Sequence, residues 1–185
     1  MDRKPAAHGE LTLRKMTAAD LHVVAAWLGE PHVARWYLSG STVEDELEEL
    51  RLSISRERPT EALIVSEGAD PIGWCQWYLC SDYPDHSSGV GAGRDDVGID
   101  YAIGDVARVG RGVGTTLVAA LVGHVRERHA RAGVIADPEA ANIASRRVLE
   151  KNGFQLLGER PGASEPTAAP MAIYRLPPEG EGARG

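Results

Sequence analysis

Apolar residues in this chain follow two periods, and the switches between them outline its elements. Val113, Leu117, Leu121 and Val125 recur every four residues and draw one stripe along a helix that runs to about Arg128. Leu21, Val24, Ala25 and Leu28 mark an earlier helix, with Thr17 as its cap and Gly29 and Pro31 at its end. Val43, Leu47, Leu50 and Ile54 mark another, capped by Thr42 and closed by Pro59; a short aromatic segment over 33–37 joins the two. Alternation predicts strands over 11–16, 62–65 and 72–79, the last two forming a hairpin about the turn 67–70. Further strands are expected over 97–103, 133–136, 154–158 and 169–176, and a helix over 141–152 that stops at Gly153. Residues 81–96 hold Gly, Ser, Asp, Pro and His without an apolar period and read as a long acidic loop carrying Asp82, Asp85, Asp95 and Asp96. The order is β-α-α-β-β-β-α-β-α-β-β, a mixed α/β pattern in which antiparallel hairpins precede helices interleaved with strands. One domain over 10–176 is expected, with flexible termini at 1–9 and 177–185 and no internal repeat.

Composition narrows the classes. The chain has 185 residues, 43% hydrophobic and 25% charged, enough for one domain with a real core. No apolar run approaches the ~20 residues of a membrane span, and no basic-then-apolar leader opens the sequence, so neither a membrane nor export is expected. Two cysteines, Cys75 and Cys80, form no zinc or redox spacing and suit a reducing cytoplasm. A formal charge of −7 disfavours nucleic acid and suits a cationic partner. His22, His32, His86, His124 and His129 show no metal spacing; they read as surface or packing residues, and no metal is expected.

The candidate chemistry starts at Gly110-Arg111-Gly112-Val113-Gly114-Thr115, between a strand and the striped helix. Glycines let backbone N–H groups turn inward, and a helix N-terminus adds donors and positive potential, so the stretch predicts an anion site. A second stretch runs Asn142-Ile143-Ala144-Ser145-Arg146-Arg147-Val148-Leu149-Glu150-Lys151-Asn152-Gly153-Phe154. Together, and in this order, they resemble the motifs of the GCN5-related N-acetyltransferases. That family's loop reads Q/R-x-x-G-x-G/A, matched here by Gly112 and Gly114, with Val109 at the leading position and Arg108 just before it. Its helix reads N-x-x-S/A-x-R-x-Y/L-E-K-x-G-F.

The resemblance implies a central twisted mixed sheet of about seven strands flanked by about four helices. It also implies acetyl-CoA as co-substrate. Its pyrophosphate would lie on residues 110–115, with Arg108 and Arg111 adding charge. Its arm would be gripped by the strands at 97–103 and 133–136. Its carbonyl would be polarised by a backbone N–H near Ala102 or Ile103. Asn142 is either a ligand of the arm, a helix cap, or both.

Within the family the chain is most similar to the aminoglycoside 6′-N-acetyltransferases, through 11–17 with Trp27-Leu28, through Pro71 to Tyr78, and through Gly98-Ile99-Asp100 and Ala136-Asp137-Pro138. Other branches acetylate siderophore lysines or protein N-termini. By this resemblance Asp100 binds the acceptor amine and takes part in proton acceptance. An aspartate with a pKa near 4 is a poor base for an ammonium, so positioning with proton acceptance, directly or through water, is the favoured role. Asp137, at the end of its strand, either holds a second ammonium or makes an Asp-Pro turn. Trp36, Tyr37, Gln76 and Tyr78 are candidate walls for a sugar ring or cation, and Asp85 a candidate acidic contact. Leu149 departs from the tyrosine that many relatives use as general acid, which leaves solvent, Tyr101 or Tyr174, or no acid at all, since a thiolate is tolerable near neutral pH. The expected function is acetyl transfer from acetyl-CoA to an aminoglycoside amine, conferring resistance. The alternatives are a protein N-terminus or siderophore or other small-molecule amine as acceptor, and a non-catalytic acyl-CoA-binding module. A monomer or homodimer suits each.

Overall fold

A computed structural model describes residues 10–161 and 169–180. The arm expected over 1–9 and the last five residues of the chain lie outside the described residues. Seven strands form a mixed sheet in the order β1-β2-β3-β4-β5-β7-β6. They are β1 Leu11–Lys15, β2 Glu61–Glu67, β3 Asp70–Leu79, β4 Val97–Ile103, β5 Val134–Ala136, β6 Gln155–Arg160 and β7 Met171–Leu176. Among the described residues six helices, rather than about four, accompany them: α1 Leu21–Leu28, α2 Pro31–Tyr37, α3 Val43–Ser55, α4 Pro84–Val90, α5 Val113–Arg126 and α6 Ile143–Lys151. The chain divides into two compact units, residues 1–76 with 101–121, and residues 77–100 with 122–185.

In the first unit β1 pairs antiparallel with β2, Leu13 opposite Val65. Thr17 and Asp20 close a capping box at a 3₁₀ turn that leads into α1. Arg14 grips the Asp20 carboxylate at 2.6 and 2.8 Å and holds it well below the usual carboxylate range. A second box joins Thr42 to Asp45 at the start of α3. Val24, Trp27 and Leu28 of α1 pack with Leu47 and Leu50 of α3 against Ile64 and Trp74. Trp27 and Trp74 stack at 6.0 Å and 4°, and Tyr37 tilts onto Trp74 at 5.1 Å. Trp74 is therefore core. The expected aromatic connector over 33–37 is instead α2. Pro31 starts this helix rather than merely ending the one before, because a first-position proline loses no intrahelical bond.

In the second unit β4 runs parallel to β5, with Val97 opposite Val134 and Gly98 opposite Ile135. β7 lies antiparallel to both β5 and β6. The buried Asp96 carboxylate takes two bonds from Arg175 of β7, at 3.0 and 3.2 Å, and one from the Gly93 N–H at 2.8 Å. The stretch expected to be a structureless loop contains a 3₁₀ turn at Cys80–Asp82 and then α4. Pro84 opens α4, the Ser87 hydroxyl donates to the Cys80 carbonyl, and Val90 packs on Ile135 and Ile173. Only Ser87 and Val90 of its seven residues are buried, too few to print a period. Asn142 caps α6 by accepting the Ser145 N–H at 3.1 Å, and Gly153 ends it at φ 83°. Arg126 donates to the Pro177 carbonyl and pairs with Glu179, each at 3.1 Å, so the chain beyond β7 is held as far as Glu179.

The α5 stripe is as its period requires: Val113, Leu117, Leu121 and Val125 are all fully buried. No helix among the described residues is long and apolar enough to cross a membrane. Truncating one member of the stripe leaves a cavity in a close-packed interior. Leu117→Ala is expected to lower the unfolding free energy by about 2–5 kcal/mol, read from urea denaturation. A change under about 0.5 kcal/mol would contradict the burial.

Candidate active site

In the first unit, β4 leads through a 3₁₀ turn at Val106–Arg108 into the glycine stretch. Gly110 and Gly112 stand at φ 73° and 91°, in the left-handed region that side chains rarely enter. The Gly112 carbonyl then accepts from Thr115 and Thr116 as α5 begins. Val113 and Gly114 are buried, and Arg111 is exposed beside the turn. Arg108, expected to add charge at the loop, pairs with Glu67 and lies 3.4 Å from Asp105, so two carboxylates already face its guanidinium. The end of β4 is pinned from two sides. His32 of α2 places Nε2 2.9 Å from the Ile103 carbonyl, and the Gly104 N–H donates to the Ile72 carbonyl at 2.9 Å. These bonds fix the backbone about Ala102 and Ile103.

A small recess lies in the same unit, lined by Tyr37, Trp74 and Gln76 together with Glu46 and Glu49 of α3. It joins two sequence candidates, Tyr37 and Gln76. Trp36 is not in its lining and carries Arg35 over its ring at 4.3 Å. Glu46 and Glu49 escaped the sequence reading because they flank the apolar stripe of α3 rather than interrupt it.

In the second unit the register of β4 on β5 sets the geometry. Gly98 is paired with Ile135, and Asp100 and Asp137 each lie two residues further along, past the end of the ladder, where their carboxylates act on one another. Burial and the Asp100 carboxylate push the Asp137 carboxyl up to about 7. Tyr78 lies flat over Gly98, where a Cβ would fall within its ring. Burial, then Asp100 and Asp137, raise its phenol above the ordinary range. The Tyr83 ring meets Tyr78 edge-on at 5.0 Å, and His86 does so at 6.1 Å. His86 also brings Nε2 to 3.7 Å from Asp137 Oδ2. The structure thus gathers Asp100, Asp137 and Tyr78 from the sequence candidates and adds Tyr83 and His86. Histidine 86 read as a surface or packing residue because its helix was not visible in the sequence. Asp85 is exposed on that helix, and Asp96 is consumed by Arg175, so the acidic character expected of 81–96 is reduced by one carboxylate.

Asn142 acts as a helix cap. Leu149 is fully buried, and the Tyr174 hydroxyl donates to Glu150 at 2.7 Å while accepting from Arg146 at 3.1 Å. Burial and the Glu150 bond raise its pKa, against the lowering effect of Arg146. That phenol is engaged in holding β7 to α6. Among the described residues no three His, Cys, Asp or Glu side chains gather as metal ligands.

A seven-stranded mixed sheet with a parallel β4/β5 pair and a glycine turn entering α5 is an acetyltransferase architecture. The family model described as an acetyltransferase (GNAT) domain matches residues 16–161, and the chain belongs to that family. It is 28% identical over 160 residues to the aminoglycoside N(6′)-acetyltransferase type 1 of Klebsiella pneumoniae, covering 82% of this chain and 77% of the relative. It is 27% identical over 169 residues to the lysine N-acyltransferase MbtK of Mycobacterium tuberculosis, covering 89% and 76%. Among solved structures it resembles the aminoglycoside acetyltransferase AAC(6′)-Ib in complex with coenzyme A and kanamycin, with a TM-score of 0.74, 25% identity, and coverage of 91% of this chain and 95% of that one.

The carboxylate pair has a measurable consequence. An aspartate with its folded pKa near 7 and a reference value of 3.8 keeps its proton in the folded chain where the unfolded chain has lost it. Its contribution to stability therefore falls as pH rises from about 4 to about 7 and levels off beyond. Asp137→Asn is expected to match the parent near pH 4 and to be more stable near pH 8, by on the order of 3 kcal/mol. Denaturant midpoints at the two pH values test this, and parallel pH slopes for parent and variant would refute it.

Proposed function

We propose that this acetyltransferase moves an acetyl group from acetyl-CoA to a primary amine of an aminoglycoside, the 6′-amine. The observation that carries the acceptor class is the opposed pair Asp100 and Asp137. Two carboxylates in one poorly solvated place repel one another, and an ammonium relieves both the repulsion and the desolvation. A polycationic sugar answers that need better than a neutral alcohol. The relatives named for aminoglycoside acetylation point the same way.

The donor reading rests on the glycine turn. Backbone N–H groups of 110–115 bind an anion where left-handed glycines precede the start of α5, and Arg111 adds an exposed positive charge. Acetyl-CoA bound there supplies the acetyl group as an activated thioester. Ala102 and Ile103 orient the arm through backbone groups that the bonds from His32 and to Ile72 hold still. Asp100, two positions before Ala102, holds the amine and takes part in drawing off its proton. Asp137 holds the same or a neighbouring ammonium.

The test is thiol release from acetyl-CoA in the presence of kanamycin or tobramycin, with antibiotic susceptibility of cells expressing the chain. Asp100→Ala is expected to lower kcat/KM by about 10²-fold or more, leaving coenzyme A affinity within about twofold. Absence of turnover across an aminoglycoside panel would overturn the acceptor. Turnover of a lysine side chain instead would move the assignment toward the MbtK relatives.

A further inference from the structure

His86 is the third residue of α4, and its imidazole is placed unusually for a surface histidine. About 36% of the side chain is exposed, yet its Nε2 is buried and has no hydrogen-bond partner. A buried polar nitrogen left unbonded is costly, and such atoms concentrate where a ligand or a proton completes them. The nearest anion is Asp137 Oδ2 at 3.7 Å, too far for a direct hydrogen bond and close enough for one small rotation to make one. Four other groups bear on this place. Tyr78 of β3 packs edge-on against the imidazole, with Tyr83 behind it. Asp100 of β4 acts on both Asp137 and Tyr78, and Cys80 acts on Tyr78. Asp100 and Asp137 are the two carboxylates of the set, and His86 is the one side chain in it whose unperturbed pKa lies near neutral pH.

We propose that His86 is the terminal proton acceptor for the acceptor amine, working through Asp137. One N–H bond of the bound R–NH₃⁺ breaks and its electron pair stays on nitrogen as the nucleophile. The proton forms an O–H bond on the Asp137 carboxylate. That bond then breaks as the lone pair of His86 Nε2 takes the proton, giving an imidazolium that discharges to water from its exposed edge. The relay gives the proton a route out: Asp137, raised by burial and by Asp100, takes it from the amine, and the half-exposed imidazole carries it on to water. Because His86 acts through another side chain, it is a positioning and relay residue. The inference rests on the amine-acetylation reading above.

Two measurements on the full chain test it. The first follows the imidazole resonances of the six histidines by NMR from pH 5 to 9 in the parent and in Asp137→Asn, with His86 assigned from its loss in His86→Gln. A coupled pair requires the His86 pKa to fall by about half a unit or more when the Asp137 charge is removed. An identical titration in both chains overturns the pairing. The second compares kcat with kanamycin across the same pH range. His86→Gln is expected to lower kcat at pH 7 by about tenfold or more, with KM for acetyl-CoA unchanged and the low-pH limb of the profile displaced, and added imidazole should restore part of the rate to His86→Ala. A His86→Gln enzyme within about twofold of the parent, with an unshifted profile, overturns the relay while the amine reading stands. A parent chain inert toward every amine overturns the acceptor reading and the relay with it. The NMR titration then shows separately whether the His86–Asp137 pair exists.

Discussion

The parallel pairing of β4 with β5 is the constraint on which the candidate site depends. Two register positions, Val97 with Val134 and Gly98 with Ile135, are enough to fix where the next carboxylates go. β5 ends at Ala136, and β4 continues to Ile103. Asp100 and Asp137 each follow the last paired residues by two positions, and the two carboxylates act on one another. In a closed ladder two aspartates opposite each other would only repel. At a point where the ladder has stopped, the same repulsion raises the Asp137 carboxyl, and a cation there would relieve it.

The second unit uses two aspartates four residues apart in opposite ways. Asp96, immediately before β4, is saturated by Arg175 and the Gly93 amide, and it ties the start of β4 to β7, which also flanks β5. That bond helps hold the register that sets Asp100 against Asp137. Asp100 has a second carboxylate as its neighbour and pushes that group's pKa upward. One aspartate stabilises the frame and the other strains it, which is the division expected where a fold holds a binding site in place.

What could be read from the sequence followed backbone rules. The α5 stripe, the glycine turn, the Asn142 cap and the Gly153 stop each depend on a period or a local conformation, and each is present. The hidden features were short elements and the contacts they create. α2 and α4 have seven residues each, begin with proline and bury too little to show a period. Without α4 there was no way to bring His86 to Asp137, and without the packing of α3 beside Trp74 there was no reason to separate Glu46 and Glu49 from an ordinary solvated helix face. Arg108 shows the converse limit. Its place in the motif suggested a ligand contact, but a motif does not reveal that Glu67 and Asp105 stand close enough to take the charge.

The side chains also say where proton chemistry can occur. At the position where many relatives carry a tyrosine acid, this chain has a buried leucine, and Tyr174, one of the two phenols considered in its place, is held between Glu150 and Arg146. Neither residue is arranged to deliver a proton. The titratable groups with unmet needs are instead Asp137, whose carboxyl is raised to about 7, and His86, whose buried nitrogen is unbonded. Both stand with Asp100. On the proposed amine-acetylation reading, these groups serve to remove a proton from the incoming amine, and the departing thiolate is left to solvent. That is the sensible division when the amine is far more basic than neutral water allows and the thiol is only weakly so.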